Sequence, residues 1–311
     1  MEQYLTHSPV LFIIYNRYET TLLTFEAIKN AKPPRLYIAA DGPKNIESQK
    51  ICNLTRSIIH LIDWECDVKT LFRNENVGCK IAVSTAIDWF FLNEEMGIIL
   101  EDDCLPSSDF FRFCDELLLK YQFDNNISII SGCNFQHGKK WGKNSYYFSN
   151  LTHIWGWASW RRVWDSYDVN LKNHEIQFAE KILKNIFHDN RIVKKWLIIF
   201  KDLKIKKIDT WDYQFAFLNF FNNRLSIIPN VNLIKNIGFD GNATHTFSLN
   251  RNANIPHEKL FNISHPNERK VQKDADFKTL FFEFGLKEKK IVRVFKKIKK
   301  TIDRFLKKIL S

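Results

Sequence analysis

Between Val10 and Cys133, short apolar runs alternate with segments of helical period. Val10–Tyr15, Arg35–Ala40, Asp67–Phe72, Gly97–Leu100 and Ile127–Cys133 read as strands; Glu19–Asn30, Ile46–Leu61, Gly78–Asn93 and Ser108–Tyr121 read as helices. The connections are short, and Pro33-Pro34 and Asp41-Gly42-Pro43 punctuate them. Parallel strands need a helix-length return, so such alternation predicts an α/β fold with a mostly parallel central sheet flanked by helices. The glycines, ten in the whole chain, are too few and wrongly placed for a GxGxxG dinucleotide turn.

Beyond Cys133 the pattern changes. A loop with Gly138 and Gly142 leads to Tyr146–Phe148, then to the aromatic block Trp155-Gly-Trp-Ala-Ser-Trp160 and Arg161-Arg-Val-Trp164. Helical spacing returns at Glu175–Ile186, Asn190–Phe200 and Thr210–Phe221. Leu225–Pro229 and Val231–Lys235 read as short strands, and Asn236–Thr246 reads as a loop. No internal repeat or low-complexity linker divides the chain, which points to one continuous domain.

A hydrophobic fraction of 45%, with 27 phenylalanines, fits a packed globule and excludes a disordered chain. Six scattered cysteines without a CxxC pair fit reduced thiols better than a disulfide framework or a zinc site. The net charge of +11 is unevenly placed. Residues 287–311 hold nine lysines and two arginines against Glu288 and Asp303, so +9 of the +11 lies there and the body is almost neutral. No nucleic-acid partner is therefore expected. In that segment Ile291, Val294, Phe295, Ile298, Ile302, Phe305, Leu306 and Ile309 recur at three- and four-residue steps, predicting a C-terminal amphipathic basic helix. Such a helix suits an anionic membrane surface. No run of 18 apolar residues and no signal-peptide pattern occurs, so the expected location is cytoplasmic, peripheral on the inner face of the cell membrane.

The chemistry-bearing element is Gly97-Ile-Ile-Leu-Glu-Asp-Asp-Cys104. An apolar strand ends in Glu101, Asp102 and Asp103, at the strand end where open α/β sheets place their ligands. Three adjacent carboxylates repel one another unless a cation or a solvated turn relieves them. Oxygen-only ligands suit Mg²⁺ or Mn²⁺, which commonly accompany a diphosphate. A solvated acidic turn is the plainer alternative.

Several segments, in order over residues 8–246, give the chain its resemblance to GT-A fold glycosyltransferases of the nucleotide-diphospho-sugar transferase superfamily. It most resembles bacterial relatives of N-acetylglucosaminyltransferase I. The segments are Phe12-Ile-Ile-Tyr-Asn-Arg17, Ala40-Asp41-Gly42-Pro43, Asn76-Val-Gly-Cys-Lys-Ile-Ala82, Glu101-Asp102-Asp103, Trp155-Gly-Trp157, Trp211-Asp212 and Gly238–Thr246. The resemblance implies a Rossmann-like GT-A domain over residues 1–270 and a basic amphipathic tail over 271–311. It implies that Arg17 contacts the nucleotide, Asp41 the uracil, and Lys80, at the helix start, the ribose and base. In the family's EDD form of the DxD motif, Asp103 would bind Mn²⁺ or Mg²⁺, with Glu101 and Asp102 on ribose or sugar hydroxyls. Trp155, Trp157 and Trp211 would line the sugar and acceptor site, and such indoles can stack on sugar rings. Asp212 would be the catalytic base and His245 a late metal ligand. Tyr213 stands where the animal enzymes carry a second acid.

The function expected is a metal-dependent inverting transfer from a nucleotide-sugar, a UDP-sugar in the resemblance, to a hydroxyl of a bacterial surface glycan. Lipopolysaccharide, capsule or another lipid-linked glycan is the acceptor that the tail suggests. Two alternatives compete. A nucleotidyltransferase also uses an α/β sheet and acidic metal ligands, but Asn16-Arg17-Tyr18-Glu19 lacks the glycine of its phosphate loop. A noncatalytic module binding membrane or nucleic acid through residues 287–311 would leave the acid triplet and Trp211-Asp212 idle.

Overall fold

The structure is a computed structural model and describes residues 4–238 and 255–286. Its first half follows the alternation in the sequence: β1 (Val10–Ile14), α1 (Tyr18–Ala31), β2 (Arg35–Ala40), α2 (Ile46–Arg56), a 3-10 turn at Ser57–Leu61, β3 (Asp67–Phe72), α3 (Cys79–Asn93) and β4 (Met96–Glu101). After β5 (Cys104–Pro106), α4 (Ser108–Lys120) and β6 (Ile127–Ser131) come β7 (Tyr146–Ser149), β8 (Trp157–Trp160) and α5 (Arg161–Trp164). The chain continues through α6 (Ile176–Ile186), α7 (Asn190–Lys204), α8 (Asp212–Phe221), β9 (Leu225–Pro229), β10 (Ile234–Asn236) and α9 (Lys273–Glu283).

Eight strands form one sheet in the order β3-β2-β1-β4-β8-β6-β9-β7. The β3-β2-β1-β4 half is parallel throughout, as is the β6–β9 pair; β8 and β7 run antiparallel to their neighbours. The α/β class with a mostly parallel sheet flanked by helices is what the periodicity predicts. β1, Val-Leu-Phe-Ile-Ile, is buried along its whole length, as a strand covered on both faces must be. α3 packs on β1 and β2, while α4 packs on β4, β6 and β8. Local chemistry fixes the helix ends. Lys32 closes α1 in the left-handed region at φ 46°, just before Pro33-Pro34, and Asn45 with Ser48 forms a reciprocal capping box on α2.

Three features depart from the sequence reading. β8 is a strand within the aromatic block, inserted between β4 and β6, with Trp157 opposite Ile99. Val231–Lys235 is shortened and shifted to β10, because Asn232 is committed to loop contacts with Asn134 N, Ile234 O and Ile255 O. α9 was not foreseen. It is docked on the body: Ser149 Oγ and the Asn150 amides donate to Asp276, Gln136 Nε2 donates to Thr279 Oγ1 at 2.7 Å, and Leu280 is fully buried. Residues 271–286 thus continue the packed body, and the basic helix expected at 287–311 lies outside the described residues. Among the described residues no helix is long and apolar enough to cross a membrane.

Candidate active site

The parallel strands β1, β2 and β4 all deliver their C-terminal ends to one edge of the sheet, with Ile13 registered beside Glu101. Arg17 immediately precedes α1 and Asp41 follows β2. The acid triplet follows from the pleat and the turn. Glu101 ends β4 partly exposed, Asp102 turns inward to 4% exposure, and Asp103 remains partly exposed at the rim.

Arg17 binds two of the three acids. Its Nη2 donates to Asp102 Oδ1 and, at 3.0 Å, to Asp103 Oδ2, while Nε reaches Asp102 Oδ2 at 3.4 Å. Burial works to lower the Arg17 pKa, but Asp102 and Asp103 outweigh it, so the guanidinium is held more firmly protonated than usual. Asp102 nevertheless shifts upward, because burial and the neighbouring Asp103 exceed what Arg17 returns. The pair is formed; one cation shared between two carboxylates simply cannot neutralise both. Glu101 is also pushed upward, by burial first, then by Asp103 and Asp102, with a smaller contribution from Asp212. Glu101 is therefore the acid of the triplet that most readily keeps a proton, and the guanidinium is shared between Asp102 and Asp103.

A short ribbon covers this turn. β10 pairs with β5, Asn236 opposite Cys104, and Ile237 N donates to Asp103 O at 2.8 Å. Gly238 lies so close that a Cβ there would stand 2.3 Å from Asp103 Oδ2 and 2.8 Å from Arg17 Nη1. Sequence reasoning missed this contact, although Gly238 opened the late loop assigned to the resemblance.

Asp212 opens α8, and Thr210 Oγ1 donates to its Oδ1. The helix is tied to the sheet by Trp211. Its indole stacks on Trp157 in β8, and its carbonyl accepts a 3.0 Å hydrogen bond from Tyr167. Cys79, the first residue of α3, has exposed surface. Yet its thiol is pushed up to about 12, by surrounding protein first and then by Glu101, Asp212, Asp209 and Asp41. These four carboxylates lie within electrostatic reach of the Cys79 thiol. Glu283, at the end of α9, retains exposed surface, and its carboxyl is pushed upward by the surrounding protein and then by the charge of Asp212. The sequence offered no signal for Cys79 or Glu283, since neither sits in a recognisable pattern.

Several expected ligand contacts are placed otherwise. Asp41 is buried, and its carboxylate already accepts from Gly42 N, Val77 N, Gly78 N and Asn76 Nδ2 at 2.8–3.1 Å. A carboxylate has about four acceptor positions, so Asp41 shapes the 76–78 turn and has none left for a base. Asp102 and Arg17 are paired with each other, through Nε and Nη2 of the guanidinium. Trp157 and Trp211, 1% and 3% exposed, are core residues with no face for a sugar. Trp155 is only partly buried, edge-on to Phe135 at 4.9 Å, and Lys80 lies in the first turn of α3, beside Cys79. His245 lies outside the described residues.

Among the described residues no group of three or more His, Cys, Asp or Glu side chains is arranged to hold a metal ion. The donor chemistry still fits a hard divalent cation: Asp103 offers oxygen ligands at the rim next to Glu101 and Asp102, and Mg²⁺ or Mn²⁺ commonly takes one or two carboxylates with phosphate and water.

No family model matches the chain, and no curated protein matches it. Among solved structures, an apo UDP-glucose pyrophosphorylase is similar at 11% identity, over 73% of this chain and 93% of its own, with a TM-score of 0.36. HddC from Yersinia pseudotuberculosis is similar at 10% identity, over 51% and 80%, with a TM-score of 0.33. The 4-diphosphocytidyl-2C-methyl-D-erythritolsynthase from Anaerococcus prevotii is similar at 8% identity, over 56% and 80%, with a TM-score of 0.34. Likenesses this distant carry no functional argument.

Proposed function

We propose that this protein is an inverting glycosyltransferase that moves a sugar from a nucleotide-sugar, a UDP-sugar in the first instance, to a hydroxyl of a bacterial surface glycan. The observation that supports the reading is the placement of the acid triplet: Glu101, Asp102 and Asp103 follow β4 at the edge where the parallel strands end, with Asp103 partly exposed and tied to Arg17. It fits the family resemblance in the same residues.

Asp212 takes the proton from the acceptor hydroxyl as that oxygen attacks the anomeric carbon. Thr210 holds one carboxylate oxygen and leaves the other for the acceptor. General-base help of this kind is worth ~10²–10⁴-fold. A single displacement with one base inverts the anomeric centre, the logic that also governs inverting glycosidases. Glu101, partly exposed at the end of β4, hydrogen-bonds donor-sugar hydroxyls. Arg17 holds Asp103 in place at the rim. A divalent cation, Mn²⁺ or Mg²⁺, bound at Asp103 would supply charge neutralisation to the departing diphosphate. Trp155 is the tryptophan available for contact with a sugar ring. The basic segment 287–311 would hold the enzyme on an anionic membrane surface, near a lipid-linked acceptor.

The test is a panel of nucleotide-sugars incubated with Mn²⁺, with and without chelator. Nucleoside diphosphate release from at least one donor, suppressed by chelator, is expected. Pyrophosphate release from a nucleoside triphosphate and a sugar phosphate would replace the reading with a nucleotidyltransferase. No binding of any donor would leave the noncatalytic alternative.

A further inference from the structure

We propose that the outer face of α7 is a docking surface for an anionic phospholipid bilayer, separate from the basic segment 287–311. Between Arg191 and Lys207 the chain carries seven basic side chains against one acid, Asp202. That stretch holds +6. Together with the +9 of the tail it exceeds the total of +11, so the rest of the protein is net acidic by four charges. Five of these seven basic side chains lie on α7 itself, and Lys206 and Lys207 directly follow it.

The two sides of α7 differ sharply. Ile192, Val193, Trp196, Phe200 and Leu203 are buried against the cluster formed with α6 and α8. Lys194, Ile198, Lys201 and Ile205 face away and are exposed. At 100° per residue, these four fall within an arc of about 60°. Ile198 is 54% exposed and Ile205 is 70% exposed. A single exposed isoleucine is ordinary. Two on one stripe, bracketed by lysines, form the pattern of a helix lying in a bilayer interface: apolar side chains dip below the headgroups while lysine stems extend and keep their charges in water.

Nucleic acid is the rival occupant for a basic helix. A phosphate backbone would use the lysines but not the isoleucines, and base stacking needs exposed aromatic rings. The aromatic residues of α7, Trp196 and Phe200, are both buried. The stripe therefore fits a lipid surface better, and this holds whatever reaction the protein performs.

Co-sedimentation of the full-length protein with vesicles tests the proposal. One set contains phosphatidylcholine alone and the other adds phosphatidylglycerol. Binding to the anionic set only is expected. Each lysine removed in Lys194→Gln and Lys201→Gln should weaken that binding about fivefold. Ile198→Ser with Ile205→Ser should weaken it further at unchanged charge. Tail neutralisation (Lys296→Gln, Lys297→Gln, Lys299→Gln, Lys300→Gln) should add to these losses rather than mask them. Wild-type binding by all α7 variants, with loss only on tail neutralisation, overturns the proposal. So does α7-dependent binding to a DNA duplex in place of vesicles.

Discussion

The indoles of Trp157 and Trp211 stack with centroids 6.0 Å apart and planes 24° from parallel. Trp157 is registered opposite Ile99, two residues before Glu101, and Trp211 directly precedes Asp212. The stack thus sets the position of the candidate base relative to the acidic turn. Trp211→Ala removes a fully packed ring and should cost about 3–5 kcal/mol of stability, read from denaturant unfolding. Trp211→Phe keeps most of the volume and should cost less than about 1.5 kcal/mol, yet depress turnover more than donor affinity. Equal retention of turnover and stability in Trp211→Phe would show that the stack does not position Asp212.

Asp212→Asn preserves size and the acceptor oxygen for Thr210 but removes the proton acceptor. Donor binding, measured by calorimetry, should stay near wild type, while transfer falls ~10²–10⁴-fold. Near-normal turnover would exclude Asp212 as the base.

Gly238 has no room for a side chain. A methyl there would overlap the Asp103 carboxylate and crowd Arg17, so Gly238→Ala should displace Asp103 from its rim position. Because the Asp103 Cβ, 2.9 Å away, is crowded along with the side-chain ends, the turn backbone must shift as well. Metal-dependent donor affinity should fall at least as far as in Asp103→Ala. Wild-type affinity in both variants would remove Asp103 from the site.

The parallel half of the sheet was legible because its strands are buried on both faces, and burial writes itself as continuous apolar runs such as Val10–Ile14. The acid triplet was legible for a related reason: charge at the end of such a run is conspicuous. The roles within it were not. Glu101, Asp102 and Asp103 are adjacent in sequence, but the turn buries one, pairs two with Arg17 and leaves Glu101 partly exposed at the strand end. Asp41 is similar: a motif reports its presence at the strand end, not the three backbone amides that consume its oxygens. The tryptophans fared as large aromatic rings usually do, packing inward where stacking area is greatest, with Trp155 alone of the three left partly open. The β5–β10 ribbon joins segments about 130 residues apart, which no local periodicity encodes.

His153 gives a pH dependence with a definite sign. It is buried, edge-on to Phe135 at 4.6 Å, and burial lowers its pKa to about 4. Well above pH 6.5 the imidazole is neutral whether the chain is folded or not, so it contributes no slope there. Between 6.5 and about 4 the unfolded chain takes up a proton that the folded one refuses, so stability falls as pH falls. The full loss from this one group is on the order of 3 kcal/mol, complete below about pH 4. His153→Phe should flatten that limb of a pH–stability curve measured by denaturant unfolding, while leaving the curve above pH 7 parallel to wild type. An unchanged acid limb would mean that His153 becomes protonated in place, with water or a carbonyl taking up its charge.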